Sequence, residues 1–436
     1  MPRNTTLPTQ GLPVSDTTTP SCNDAGCGGF QTSRRSMLGG IALGGLTAVT
    51  GSTVVTMSSA PAFAADAVDA PVLVVLSLRG AADGLSMVVP HGDPVYYQAR
   101  PQIAVPMAQL LATDSFFGLH PALAPLLPMW NNGELAAVHA TGLPVANRSH
   151  FAAIEEVEDA DPGSAARTGW LNRLLGEAPA LSPLTGVSVT GGAPPASMFG
   201  ENPAMSFLSL ATATIAGDSR SDPARARLTS LQQVWAADQS GMGKAVRGAM
   251  AAVDGLDGAR AQRTLGVQYP ASDLGQALAT VARTLRGGSG TQLVTVDSGS
   301  WDMHSDLGTP TRGRMLDNLT DLARSVAAFF DDLGTARDRV TLVTISEFGR
   351  RVVENSATGL DHGWGNAMLV AGANVAGSRY YGRWPGLENN VDSDLSVTTD
   401  YRSVLAEVVA TRFPTASVPS VFPGFTREHV GVMSAS

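Results

Sequence analysis

Cysteine is nearly absent. The 436 residues contain two, Cys22 and Cys27, and both precede a twin arginine at Arg34-Arg35. Everything downstream therefore lacks a thiol for a disulfide, a metal ligand or a nucleophile. Charge is also sparse, at 15% of residues with a net of −9, and the arginines are scattered. An acidic chain without a basic stripe is a poor partner for nucleic-acid phosphates. No Gly-x-Ser-x-Gly elbow surrounds Ser149, which argues against a serine hydrolase built on Ser149 and His150. Beyond the N-terminal region, no run is long and apolar enough to cross a bilayer.

What the N-terminus does contain is the order expected of an export signal. Ser33-Arg34-Arg35-Ser36-Met37-Leu38 is followed by an uncharged Gly/Ala/Thr/Val stretch and then by Ala62-Phe63-Ala64, an A-x-A processing site. This predicts a twin-arginine signal over residues 1–64 that is removed, with the twin-arginine export machinery as its partner. The expected destination is the periplasm, the cell envelope or the exterior. The remaining 436 − 64 = 372 residues, 65–436, suffice for one large domain.

Pro71 to Leu78, PVLVVLSL, reads as a strand buried on both faces, ending in a loop that carries Arg79 and Asp83. Leu135 to His139 reads as a second strand, and Arg148-Ser149-His150 follows at a helix start. Ser149 is either the cap of that helix or an oxygen nucleophile. Residues 181–268 read as a largely helical insertion over the site, with a short strand at Val187-Ser188-Val189. The strand within Gln292 to Val296, the helix Arg312 to Leu333 and the strand Arg339 to Ser346 make a βαβ unit, so the class is α/β with a mostly parallel sheet.

The chemistry gathers at strand ends. Asp302 and His304 follow one strand, Glu347 follows the next, and Asp361-His362 precedes Asn366. Ligands of α/β sheets bind just outside the carboxyl ends of the strands. Two histidines with carboxylates can hold zinc, manganese or iron with positions open to substrate. The bland alternative is loop capping, with Glu347 paired to Arg350 or Arg351.

SLRGAADGL, NRSHF, WDMH, SEFGRR and LDHGWGN occur here in the order found in the domain of unknown function 1501 family, and the chain resembles that family over about Pro71 to Phe425. The resemblance implies a three-layer α/β/α sandwich of the alkaline phosphatase and sulfatase kind. It implies Asp302, His304 and His362 as ligands of a first metal site, with Asp83 similar to the acid after the first strand. Where phosphatases of that superfamily carry an Asp-His pair, this chain has Glu347-Phe348, which thins a second metal site. The expectation is thus a hydrolase of small anionic phosphate or sulfate esters. It would use one divalent metal (zinc, manganese or calcium), with Ser149 or water as nucleophile and His150 as proton carrier. Arg79, Arg148, Arg350 and Arg351 would supply cationic charge toward the substrate. The rival is a non-catalytic binding or scaffold protein on a degenerate fold.

Overall fold

The β-branched and leucine-rich runs do form strands. A computed structural model describes residues 46–50, 53–57, 69–178, 181–214 and 226–434. Its main sheet contains, in chain order, β1 (Leu46–Thr50), β2 (Thr53–Met57), β3 (Val72–Leu78), β4 (Leu135–Gly142), β5 (Gly186–Val189), β6 (Ala204–Phe207), β7 (Leu293–Ser298), β8 (Val340–Ile345), β9 (Asn366–Gly372), β10 (Tyr380–Tyr381) and β11 (Thr399–Asp400). The spatial order is β1-β2-β6-β5-β7-β3-β8-β9-β4-β10, with β11 also on β4. The five strands β6-β5-β7-β3-β8 are mutually parallel.

Side chains alternate across a strand, and β3 shows what that does here. Val72, Val74, Leu76 and Leu78 join one apolar cluster with Leu278 and Val281 of α3 (Asp273–Arg286) and Leu322 and Phe329 of α4 (Arg314–Asp332). Leu73 and Val75 join a second cluster with Val157 of α1 (His150–Asp159) and Val404 and Val408 of α5 (Tyr401–Arg412). Helices therefore cover both faces of the sheet, as the continuous apolar character of β3 requires.

Two expectations change. The stretch 181–268 opens with β5 and β6, which extend the parallel sheet, so only its later part is helical, including α2 (Gly241–Asp254). Within residues 1–64, expected to lie outside the fold, β1 and β2 form a hairpin and β2 pairs antiparallel with β6. In the full-length chain that hairpin covers an otherwise open sheet edge. The twin arginine and the A-x-A site lie outside the described residues. No helix among the described residues is long and apolar enough to cross a membrane.

The C-terminal tail is docked. Phe422 is buried and stacks on Trp170, and the Glu407 carboxylate accepts the amides of Val430, Gly431 and Met433.

The topology brings five strand ends, and four loops, to one edge. β3, β7 and β8 end there, and β9, antiparallel to β8, begins there. β4 is antiparallel to β9, so its carboxyl end, and the chain leading to α1, arrive at the same edge. The loops approach so closely that Gly80, at φ +106°, could not carry a Cβ without striking the backbone amide of Asp302.

Candidate metal centre

At this edge three imidazoles and a carboxylate converge. His362 Nε2 lies 3.0 Å from His150 Nε2 and 2.9 Å from His304 Nε2. Asp302 Oδ1 is 3.0 Å from His304 Nε2, 3.6 Å from His362 Nε2 and 3.7 Å from His150 Nε2. His150, Asp302 and His362 form the compact trio, and His304 meets two of its members from one side. Ligands about 2.0–2.1 Å from a tetrahedral zinc stand about 3.4 Å apart, and the five separations above, which leave out that of His150 from His304, run from 2.9 to 3.7 Å.

The far nitrogen of each ring is held by an acceptor. His150 Nδ1 faces Glu347 Oε1 at 2.9 Å, His304 Nδ1 faces Asp361 Oδ1 at 3.0 Å, and His362 Nδ1 faces the carbonyl oxygen of Arg148 at 2.9 Å. A carbonyl and two ionised carboxylates only accept, so each Nδ1 must carry the proton and donate it. In the neutral rings every Nε2 then presents a lone pair toward Asp302 Oδ1. With all three rings neutral the four atoms are acceptors and could hold a cation, and an acceptor behind each imidazole is the usual outer shell of a metal-binding histidine.

The proton affinities reflect the same acidity. Hydrogen bonding to Asp302 and Glu347 raises His150 to about 9, against the opposing effect of burial. Burial favours the protonated form of Asp302, but hydrogen bonds from His150 and Arg350 outweigh it and hold that carboxyl well below the ordinary range. Burial likewise opposes ionisation of Glu347, and hydrogen bonds from His150 and nearby amides lower it. Burial lowers His362, against the pull of the Arg148 carbonyl. A proton and a metal ion would compete for one focus.

A family model described as "Protein of unknown function (DUF1501)" matches residues 70–408. The chain belongs to the DUF1501 family. No curated protein and no solved structure matches it.

In this DUF1501 chain the residues expected from sequence divide sharply. Asp302, His304 and His362 come together, and His150, expected as a proton carrier, joins them with its Nε2 in a ligand's place. Glu347 does not point into the focus. It is buried, and its Oε1 accepts from His150 Nδ1 and from the Gly80 amide at 2.8 Å, while Oε2 accepts from Ser346 Oγ. It positions the His150 ring and contributes no atom to the cluster of Nε2 and Asp302 oxygen atoms.

Asp83 stands apart from the cluster. Its carboxylate caps the short helix Gly84–Met87 and forms a bidentate pair with buried Arg100 at 2.5 and 3.0 Å. Arg100 also donates to the carbonyls of Val352 and Arg351, tying the first loop to the segment after β8.

Of the arginines expected at a substrate, none is directed to open space. Arg79 binds Glu158 and Asp297, Arg148 binds Asp394, and Arg351 binds Asp392 and Asp394. Arg350 is buried and donates to Asp302 Oδ1 and to the carbonyls of Gly80, Ala81, Trp301 and Leu360. Ser149 occupies the cap position of α1, exposed, with no hydrogen bond from its hydroxyl to the helix.

Sequence reasoning missed the ligand geometry of His150, the orienting role of Asp361 and the Arg148 carbonyl. The Arg-Ser-His run after β4 was the available signal, but its destination depends on the direction of β4.

Proposed function

We propose that this protein is an exported, metal-dependent ester hydrolase with a single divalent ion, held by His150, His304, His362 and Asp302. The observation that carries this reading is the fixed set of three Nδ1 donors, which leaves three Nε2 lone pairs and one carboxylate oxygen facing one another. A donor set of three imidazoles and one carboxylate suits zinc or manganese. It does not suit calcium, which favours an all-oxygen shell. When bound, such an ion polarises an ester oxygen and supports attack by water or an alcohol.

The chain's own residues have separate tasks. Glu347, Asp361 and the Arg148 carbonyl fix the rings, and Arg350 fixes Asp302. Ser149, exposed beside His150, is the proposed protein nucleophile, with water as the alternative. Phosphate and sulfate esters, on an alkaline-phosphatase-like scaffold, are the substrate classes to test first. In support of export stand the twin arginine and the A-x-A site. The deciding experiment is a screen of such esters with purified chain reconstituted with zinc or manganese. Turnover that requires the metal and disappears in Asp302→Ala supports the reading, and metal binding without turnover of any ester overturns it.

A second reading is a metal-binding protein without catalysis. What favours it is that Arg79, Arg148, Arg350 and Arg351 are all engaged by acceptors of the protein itself.

A further inference from the structure

We infer that the ester accepted at this centre carries at most one negative charge and an apolar group. This rests on the hydrolase reading above and narrows its substrate class.

Charge limits the substrate first. The centre and its immediate partners contain three carboxylates, Asp302, Glu347 and Asp361, and one guanidinium, Arg350. The imidazoles are neutral when their Nε2 lone pairs hold a metal ion. A divalent ion brings the sum, −3 + 1 + 2, to zero. A phosphate monoester, doubly charged above neutral pH, would take the site to −2. Arg79, Arg100, Arg148, Arg350 and Arg351 each already hold a carboxylate, and Arg314 donates to the carbonyl of Ser300. The chain's single lysine, Lys244, is on α2, which packs against β1 and β2 at the far end of the sheet. Sulfate monoesters and phosphodiesters carry one charge and carboxylic esters none. These the ion alone can balance.

Exposed apolar surface limits it further. Among the described residues the three most exposed large apolar side chains are Val145 at 75%, Val391 at 75% and Phe151 at 74%. Val145 and Val391 belong to the two loops that the Arg148–Asp394 pair joins, and Phe151 is in the first turn of α1. Val145 is three residues before Arg148, Phe151 follows His150 directly, and Val391 is three residues before Asp394. The carbonyl of Arg148 also holds His362. Exposed apolar side chains that flank a site in the chain offer it an apolar surface. Here Phe151 directly follows His150, and Val145 and Val391 lie on the loops of the Arg148–Asp394 pair, where the non-reacting part of an ester would rest.

The test uses full-length zinc-loaded protein and 4-nitrophenyl esters at about pH 8. The probes are the phosphate monoester, the sulfate, the bis-phosphodiester, and carboxylic esters of two and eight carbons. In each, water supplies the oxygen that joins the acid half, 4-nitrophenolate leaves with the bonding pair, and the proton goes to solvent. The inference predicts kcat/KM at least about tenfold higher for one of the singly charged or neutral esters than for the phosphate monoester. It also predicts that the triple variant Val145→Ser, Phe151→Ser, Val391→Ser retains bound zinc. That variant should reduce the rate ratio between an apolar ester and its shorter or more polar counterpart by about tenfold, the scale of a few methylene contacts. Preference for the phosphate monoester, or an unchanged ratio in the variant, overturns the inference while leaving the hydrolase reading in place. No zinc-dependent turnover of any probe overturns both.

Discussion

Arg350 Nη2 donates to Asp302 Oδ1 at 2.6 Å, and the same carboxylate oxygen is the one nearest the three imidazole Nε2 atoms. Through its other donors Arg350 joins the loops after β3 and β7 to the segment before β9. One buried side chain thus sets both the aim of Asp302 and the spacing of the loops that carry Asp302, His304 and His362.

Replacing Arg350 with Met should therefore destabilise the fold by roughly 2–5 kcal/mol, because buried carbonyls lose their donors. Arg350→Lys should recover only part of this, since an ammonium cannot reproduce the planar fork. Denaturant unfolding of both variants beside the parent checks the order. Equal stability of all three would refute the assignment.

Asp83 provides the contrasting case. Asp83→Asn removes the charge that compensates Arg100, which is wholly buried, and should cost about 3–5 kcal/mol. Metal content in folded protein should not change, because Asp83 contributes no atom to the cluster. Thermal melting and metal analysis of one preparation measure both quantities. A selective loss of metal would return Asp83 to the ligand set.

Glu347 should behave in the opposite way. Glu347→Gln keeps the shape but weakens the acceptor behind His150 Nδ1, and losses of this kind lower metal affinity by about 10–100-fold. Competition against a chromogenic chelator gives the affinity directly. An unchanged value would mean that His150 is not a ligand.

These contrasts also show what the sequence could and could not reveal. β3, β7 and β8 are legible because a strand buried on both faces must be apolar throughout, and VLVVLSL and VTLVTI leave little choice. β5 is legible only as the short β-branched run Val187–Val189, and β6, at four residues, is too short for periodicity to separate from the helices that follow. Asp302, His304 and His362 stand out as residue types at strand ends. His150 does not, because its place depends on β4 running antiparallel to β9. Asp83 misleads for the same kind of reason: its partner Arg100 is 17 residues away, and nothing local reports the pair.

Acid sensitivity should come in part from two histidines remote from the centre. Burial lowers His120 and His139 to about 4. The unfolded chain, with ordinary histidines near 6.5, then binds more protons than the folded one between about pH 6.5 and 4. Stability contributed by each is complete above the upper value and is lost as pH falls toward the lower, on the order of 3 kcal/mol apiece. Melting temperatures from pH 7 to 4 should fall, and His120→Asn with His139→Asn should flatten that slope. An unaltered slope would place the sensitivity elsewhere.

The central claim is that three Nε2 atoms and one carboxylate oxygen hold one metal ion. Its most direct measurement is metal content and X-ray absorption of protein purified without chelator and loaded with zinc. The account predicts one ion per chain in a shell of three imidazole nitrogens and an oxygen at about 2.0–2.1 Å. It also predicts loss of that ion in folded His362→Ala and in folded His150→Ala. Folded protein that takes up no stoichiometric ion, or that binds one equally well without His150 and His362, would contradict it.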